Sequence, residues 1–153
     1  MPDRYFDEIE LGQKWVTKGR TITEADVVNF AYLSSDWHSI HTDGEYAAQT
    51  SFGQRIAHGF LVLSVATGMV PATRETVLAL YGLDRVRFVA PVFIGDTVHL
   101  EMEAIDKKER DDGTGVVGFD FRMVNQRDEP VIVCVYRLWM NKRPASRKED
   151  HDG

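Results

Sequence analysis

The sequence holds a single cysteine, Cys134, among 153 residues. An internal disulfide is excluded, and this usage fits a reducing compartment. Long apolar runs are also missing; none approaches the ~18 residues that a membrane span needs. The opening segment MPDRYFDEIELGQ lacks the apolar centre of a secretion signal. Excess basic charge is absent as well. Lys and Arg number 18 against 24 Asp and Glu, a formal net charge of -6. Nucleic-acid binders carry a net basic face, so that partner class is argued against. Together these absences predict a soluble, cytoplasmic protein with neither nucleic acid nor membrane as partner.

What is present suits a globular domain. Hydrophobic residues make up 43% and charged residues 27%, a balance that can bury a core. The length suits one domain. In TITEADVVNFAYLSS, Thr23 can cap a helix, with Asp26 three residues on as a variant capping box. Val27, Phe30, Ala31 and Leu33 follow at near-helical spacing, which predicts a helix over 24–34. DGEYAAQT reads as one or two helical turns. From Phe60 to Val70 the chain is apolar nearly all round, broken only by Ser64, Thr67 and Gly68. Such a helix is buried. It is predicted at about 58–70, with Pro71 ending it.

Beyond Pro71 the texture becomes that of strands. TVLALYGLDRVRFVAPV is β-branched and apolar, with Gly82 as a bulge. TVHLEMEAIDKKE alternates Val98, Leu100 and Met102 against His99, Glu101 and Glu103. GVVGFDFRMVNQ and PVIVCVYRLWMN are further strands, and DDGTG and QRDEP are turns between them. Three successive strands with short loops predict an antiparallel meander. Large residues on both faces call for cover on both sides: a helix on one, a partner subunit on the other. Arg85 and Arg87 are expected to face out or toward that partner. The domain is expected over 1–142, with the charged tail 143–153 disordered. A buried helix followed by a curved antiparallel sheet that wraps it describes an α+β protein with a single hotdog fold. Its sheet edges predict pairing into a homodimer or higher homo-oligomer.

The chemistry concentrates in SSDWHSIHTDGEYA, where Asp36, His38, His41 and Asp43 fall within eight positions. Zinc needs three or four ligands converging at about 2 Å. DWHSIHTDG is a poor helix, and neither an H-E-x-x-H motif nor a cysteine cluster accompanies it. No metal is expected. Cys134 sits mid-strand in an apolar run, the setting of an inert thiol. Ser64 and Thr67 lack a G-x-S-x-G elbow. Acid–base work remains. A carboxylate and an imidazole five residues apart have pKa values that straddle neutrality. Taken alone, the pair reads better as a turn cap, Asp36, and a satisfied polar residue, His41. The segment AHGF then opens the apolar helix. The first N–H groups of a helix lack internal partners and carry its positive dipole end. Glycine lets a carbonyl approach the backbone, so Gly59 N–H is a candidate oxyanion hole. An acid–base pair beside such a donor suits proton chemistry next to a carbonyl.

SSDWHSIHTDGEYAAQTSFGQRIAHGFLVLS resembles the signature of the MaoC-like dehydratases, the (R)-specific enoyl-CoA hydratase group. That family carries G-D-x-N-P-x-H-x-D followed by A/V-H-G at the start of the central helix. The resemblance covers roughly residues 5–142, including RFVAPVFIGDTV. It implies Asp36 and His41 as the catalytic pair, Gly59 as the oxyanion donor and Thr67 near the thioester. Trp37 is expected either to shape the acyl pocket or to serve as a buried anchoring aromatic, and His38 to touch the aspartate or the substrate. His58 is expected to orient the loop by a hydrogen bond beside the substrate. Tyr46 and Phe52 are expected in the core, and Arg55 in solvent, with the anionic end of coenzyme A as the alternative. Two positions depart from the signature: Ser35 replaces its glycine, and His38-Ser39 replace its N-P pair.

The activity implied is that of a hydro-lyase, reversible hydration of a trans-2-enoyl-CoA to the (R)-3-hydroxyacyl-CoA without a cofactor. Which of Asp36 and His41 is acid and which base stays open. The alternatives are a hotdog acyl-CoA thioesterase, a non-catalytic acyl-binding partner subunit and a dehydratase acting on a carrier-bound acyl group.

Overall fold

The computed structural model describes residues 4–144. After a 3-10 turn at Phe6–Glu8 come strands β1 (Lys14–Val16) and β2 (Arg20–Thr21). Helices α1 (Glu24–Ser34), α2 (Ser39–Thr42), α3 (Gly44–Ala48) and α4 (Gly59–Met69) follow. Strands β3 (Val77–Phe88), β4 (Thr97–Glu109), β5 (Thr114–Asn125) and β6 (Pro130–Asn141) complete the fold. The expected helix over 24–34 is α1, opened by the expected capping box. Thr23 N–H donates to Asp26 Oδ2 at 2.8 Å, and Asp26 N–H donates back to Thr23 Oγ1 at 3.3 Å.

All strand pairs are antiparallel, in the order β1-β4-β5-β6-β3, with β2 also on β4. The meander β4-β5-β6 is present as read from the sequence. Strand β3 joins the far side of β6, through register shifts at Leu80/Gly82 and Asp84/Arg87. The first is the expected bulge at Gly82. At the second, Arg85 takes φ 52. Cross-strand rows build the inner face: Leu100, Met123, Ile132 and Phe88 in one, Met102, Phe121 and Cys134 in the next. Most of these side chains are fully buried. Each large one contributes roughly 1.5–3 kcal/mol on burial. A tight turn at Gly95 (φ 98) precedes β4. There Asp96 Oδ2 accepts the Phe93 N–H at 2.9 Å. The segment before that turn is tied next to the start of α4, where Ala57 N–H donates to the Val92 carbonyl at 2.7 Å. A sheet wrapped on one helix in this way is a single hotdog fold.

One expectation needs correction. Helix α4 buries Leu61, Val62, Leu63 and Ala66, yet it is not covered all round. Phe60 is 67% exposed, and Ser64 and Gly68, one and two turns on, are also exposed. The apolar sequence pattern had hidden this open stripe. The sheet's outer face mixes apolar residues such as Val116, Val135 and Trp139 with ion pairs. It carries Lys14 paired with Glu103, Asp120 with Arg122, and Arg137 between Asp84 and Asp106. Uncovered apolar surface lies along β3, at Leu78, Leu80, Tyr81 and Phe88, and on α1 at Tyr32 and Leu33. Arg143 N–H donates to Asp7 Oδ1 at 2.8 Å, so the chain is tied down at least that far. The tail expected to be disordered lies, from 145 on, outside the described residues.

Candidate active site

Helix α1 ends on Ser35 in the left-handed conformation, φ 59, where the related signature has glycine. This turn throws the chain outward into Asp36. The Asp36 carboxylate closes a local turn by accepting the His38 N–H at 3.3 Å. His38 is itself the N-cap of α2, its Nδ1 accepting the Ile40 N–H at 3.1 Å. The departure at positions 38 and 39 is thereby explained. Asn and Pro are a standard N-cap and first helical residue. Here an imidazole nitrogen does the capping, and Ser39 tolerates the first helical position.

Helix α2 carries His41. Its Nδ1–H donates to the Ile56 carbonyl at 2.8 Å, and Ile56 N–H donates to the Ile40 carbonyl at 3.3 Å. The tautomer is fixed by this contact, since a carbonyl only accepts. Nε2 is left with a free lone pair. Burial holds the His41 pKa below 6.5; His58 and His38 add to the lowering, and the Ile56 carbonyl and Asp36 oppose it. His41 is therefore neutral at pH 7 and able to accept a proton.

His58 lies behind this pair, only 2% exposed. Its Nε2–H donates to the Asp36 main-chain carbonyl at 2.9 Å. Its ring stacks on His41, with centroids 3.9 Å apart and planes at 29°. The Phe30 ring packs against it at 5.1 Å. Residue 58 is also the N-cap of α4, yet no side chain caps that terminus. The Val62 N–H makes the first helical bond, to the His58 carbonyl at 3.2 Å, so the preceding N–H groups have no partner within the helix. Gly59 has a reason beyond ligand access. A Cβ there would stand 2.8 Å from the Phe88 ring.

One cavity of about 410 Å³ is lined by both His41 and Gly59. Its walls are otherwise apolar, among them Phe52, Phe60, Phe88, Val92 and Ile132. Asp36 sits beside this lining on its exposed loop. Donor atoms of Asp36, His41 and His58 lie within 4.8 Å of one another. These three could together meet a metal ion. One nitrogen of each ring is already engaged, His41 Nδ1 by the Ile56 carbonyl and His58 Nε2 by the Asp36 carbonyl.

The structure thus brings together Asp36, His41, His58 and Gly59. Other expected site residues lie outside the cavity lining. Trp37 is half exposed and packs edge-on to Tyr32 at 5.5 Å. His38 is occupied as a cap. Thr67 donates to the Ser64 carbonyl at 2.8 Å within α4. Arg55 is gripped at both Nη atoms by Glu24, at 2.8 and 2.7 Å. Tyr46 and Phe52 are exposed rather than core, and Phe52 lines the cavity. Burial pushes the Cys134 thiol up to about 11, out of reach as a nucleophile. Phe88, Val92 and Ile132 come from the sheet region, where nothing in the sequence separates a cavity wall from ordinary core.

The profile of a family described as MaoC like domain matches residues 8–120. Over 100 residues the chain is 44% identical to a Klebsiella aerogenes protein named Protein MaoC, covering 65% of this chain and 30% of that one. It is 41% identical over 98 residues to a Rhodospirillum rubrum protein named (R)-specific enoyl-CoA hydratase, covering 61% and 65% of the two chains. The matched stretch is thus less than two thirds of either relative. Among solved structures, one described as a monoamine oxidase regulatory protein from Archaeoglobus fulgius superposes with a TM-score of 0.85. It is 41% identical, with 92% of this chain and 96% of that chain covered.

Proposed function

The chain belongs to the MaoC-like domain family, and from that premise we propose that it adds water reversibly across the double bond of a trans-2-enoyl-CoA. The single observation that carries this reading is that His41 and Gly59 line one apolar cavity. Such a site offers a proton acceptor, an uncapped helix terminus and no nucleophile. The acyl group would lie in the cavity, with the thioester oxygen on the Gly59 N–H. As water attacks C3, its O–H bond breaks and an O–C3 bond forms. Electron density moves onto the thioester oxygen, where the helix dipole meets it. Collapse of this enolate forms the C2–H bond, with the Asp36–His41 pair supplying the proton. His41 suits the first proton transfer, because its free Nε2 is unprotonated at neutral pH. The (R) product follows the name of the Rhodospirillum rubrum relative.

The working unit is proposed to be a homodimer in a reducing cytoplasm. A 12-residue edge strand bearing Leu78, Leu80 and Tyr81 in solvent is suited to pairing with a second copy. A second reading, a non-catalytic acyl-binding subunit, draws on the exposure of Asp36 and on the name of the Archaeoglobus protein. Mixing purified protein with crotonyl-CoA while following the enoyl absorbance and free thiol separates these readings. Loss of absorbance without thiol supports hydration. Thiol release indicates a thioesterase, and binding without turnover a subunit.

A further inference from the structure

We infer that His58 is a positioning residue for the proposed hydration, holding the Asp36 main chain through one ring nitrogen and the His41 ring through its face. The inference rests on the hydratase reading for its kinetic part and on geometry alone for the rest. Three observations carry it. First, the 2.9 Å bond from His58 Nε2–H to the Asp36 carbonyl joins residues 22 apart in sequence. It ties the start of α4 to the loop that presents the carboxylate, which is otherwise exposed. Second, the His58 ring is clamped between Phe30 at 5.1 Å and His41 at 3.9 Å, so it acts as a fixed wall for the His41 imidazole. Third, His58 Nδ1 is buried with no hydrogen-bond partner. A buried, unpaired polar atom costs free energy. If side-chain volume were all that mattered here, an apolar residue would avoid that cost. What the imidazole offers is a flat ring and an in-plane N–H in one side chain.

The consequence is geometric. The oxyanion donor belongs to Gly59, the next residue in the chain. A single side chain thereby fixes the carboxylate and the imidazole relative to the helix terminus that would receive the thioester oxygen. Misplacing such groups by about 1 Å can cost on the order of 100-fold in rate.

Two variants divide the roles. His58→Phe keeps the ring face and loses the donor; His58→Gln keeps a donor and loses the ring face. Each is compared with wild type in melting temperature, in kcat and KM on crotonyl-CoA, and in the NMR titration of the His41 ring. The groups facing His41 are Asp36, His38 and His58, so the titration is repeated in a His38→Ala background. In His58→Phe, kcat should fall roughly 10- to 100-fold with KM within about threefold, while His41 keeps its tautomer. In His58→Gln, the loss of stacking hydrates His41, and its titration midpoint should rise toward 6.5. Folded variants with wild-type kcat and an unmoved His41 titration would overturn the inference. So would activity losses that follow melting temperature alone. A wild type inactive on every enoyl thioester would sink the hydratase reading, and the NMR titration would still decide whether His58 fixes the His41 ring.

Discussion

The Phe88 ring lies against the bare Cα of Gly59, so close that a Cβ at residue 59 would stand 2.8 Å from two of its carbons. The edge strand of the sheet and the N-terminus of the central helix therefore meet at the one position where the candidate oxyanion donor sits. Gly59→Ala should destabilise the fold by about 1 kcal/mol, because the half-exposed Phe88 ring must swing aside. In the Phe88→Ala background the same change should cost far less. A double-mutant cycle by denaturant unfolding reads the coupling. Equal costs in both backgrounds would mean that the contact does not hold.

The depressed His41 pKa has a definite sign in pH dependence. The neutral form is favoured in the folded protein, so the unfolded chain binds the proton first as pH falls. The stability contribution is complete above pH 6.5 and is lost as pH falls from 6.5 toward the folded value. The acid limb of kcat/KM should likewise lie below 6.5, since His41 must be unprotonated to accept a proton. A limb above 6.5 would show that His41 is not the group that titrates.

Ser35 occupies a left-handed position, φ 59, at the end of α1. Non-glycine residues pay for that conformation. Ser35→Gly should stabilise the fold by about 0.5–1 kcal/mol, measured as a rise in denaturation midpoint. Activity should stay within about twofold, because Asp36 keeps its place.

The proposed dimer predicts its own disruption. Leu80 and Tyr81 lie exposed on the edge strand, so Leu80→Lys with Tyr81→Lys should lower the mass measured by light scattering to that of one chain. An unchanged mass would place the interface elsewhere.

Long, strongly patterned elements were legible from residues alone. The capping box of α1, the alternation of β4 and the turns of the meander each carry a local signal. Strands β1 and β2 do not, because three and two residues hold too little of a period. The open stripe of α4 was hidden for a different reason. Phe60 is apolar, and only tertiary packing decides whether an apolar side chain is covered. In the site, Asp36, His41 and Gly59 stood out by type and spacing. The cap at His38 was missed, because an imidazole seldom serves as one. The stack of His58 on His41 joins residues 17 apart, a distance at which sequence carries no register. Phe88 was invisible for the same reason.

The most direct test of hydration follows the enoyl absorbance of crotonyl-CoA and free thiol together, for wild type and Asp36→Asn at equal folded concentration. Hydration predicts loss of the enoyl band without thiol in wild type, and a rate lower by at least about 100-fold in the variant, the low end of general acid–base catalysis. Wild-type rates in Asp36→Asn, or thiol released in step with the lost absorbance, would contradict it.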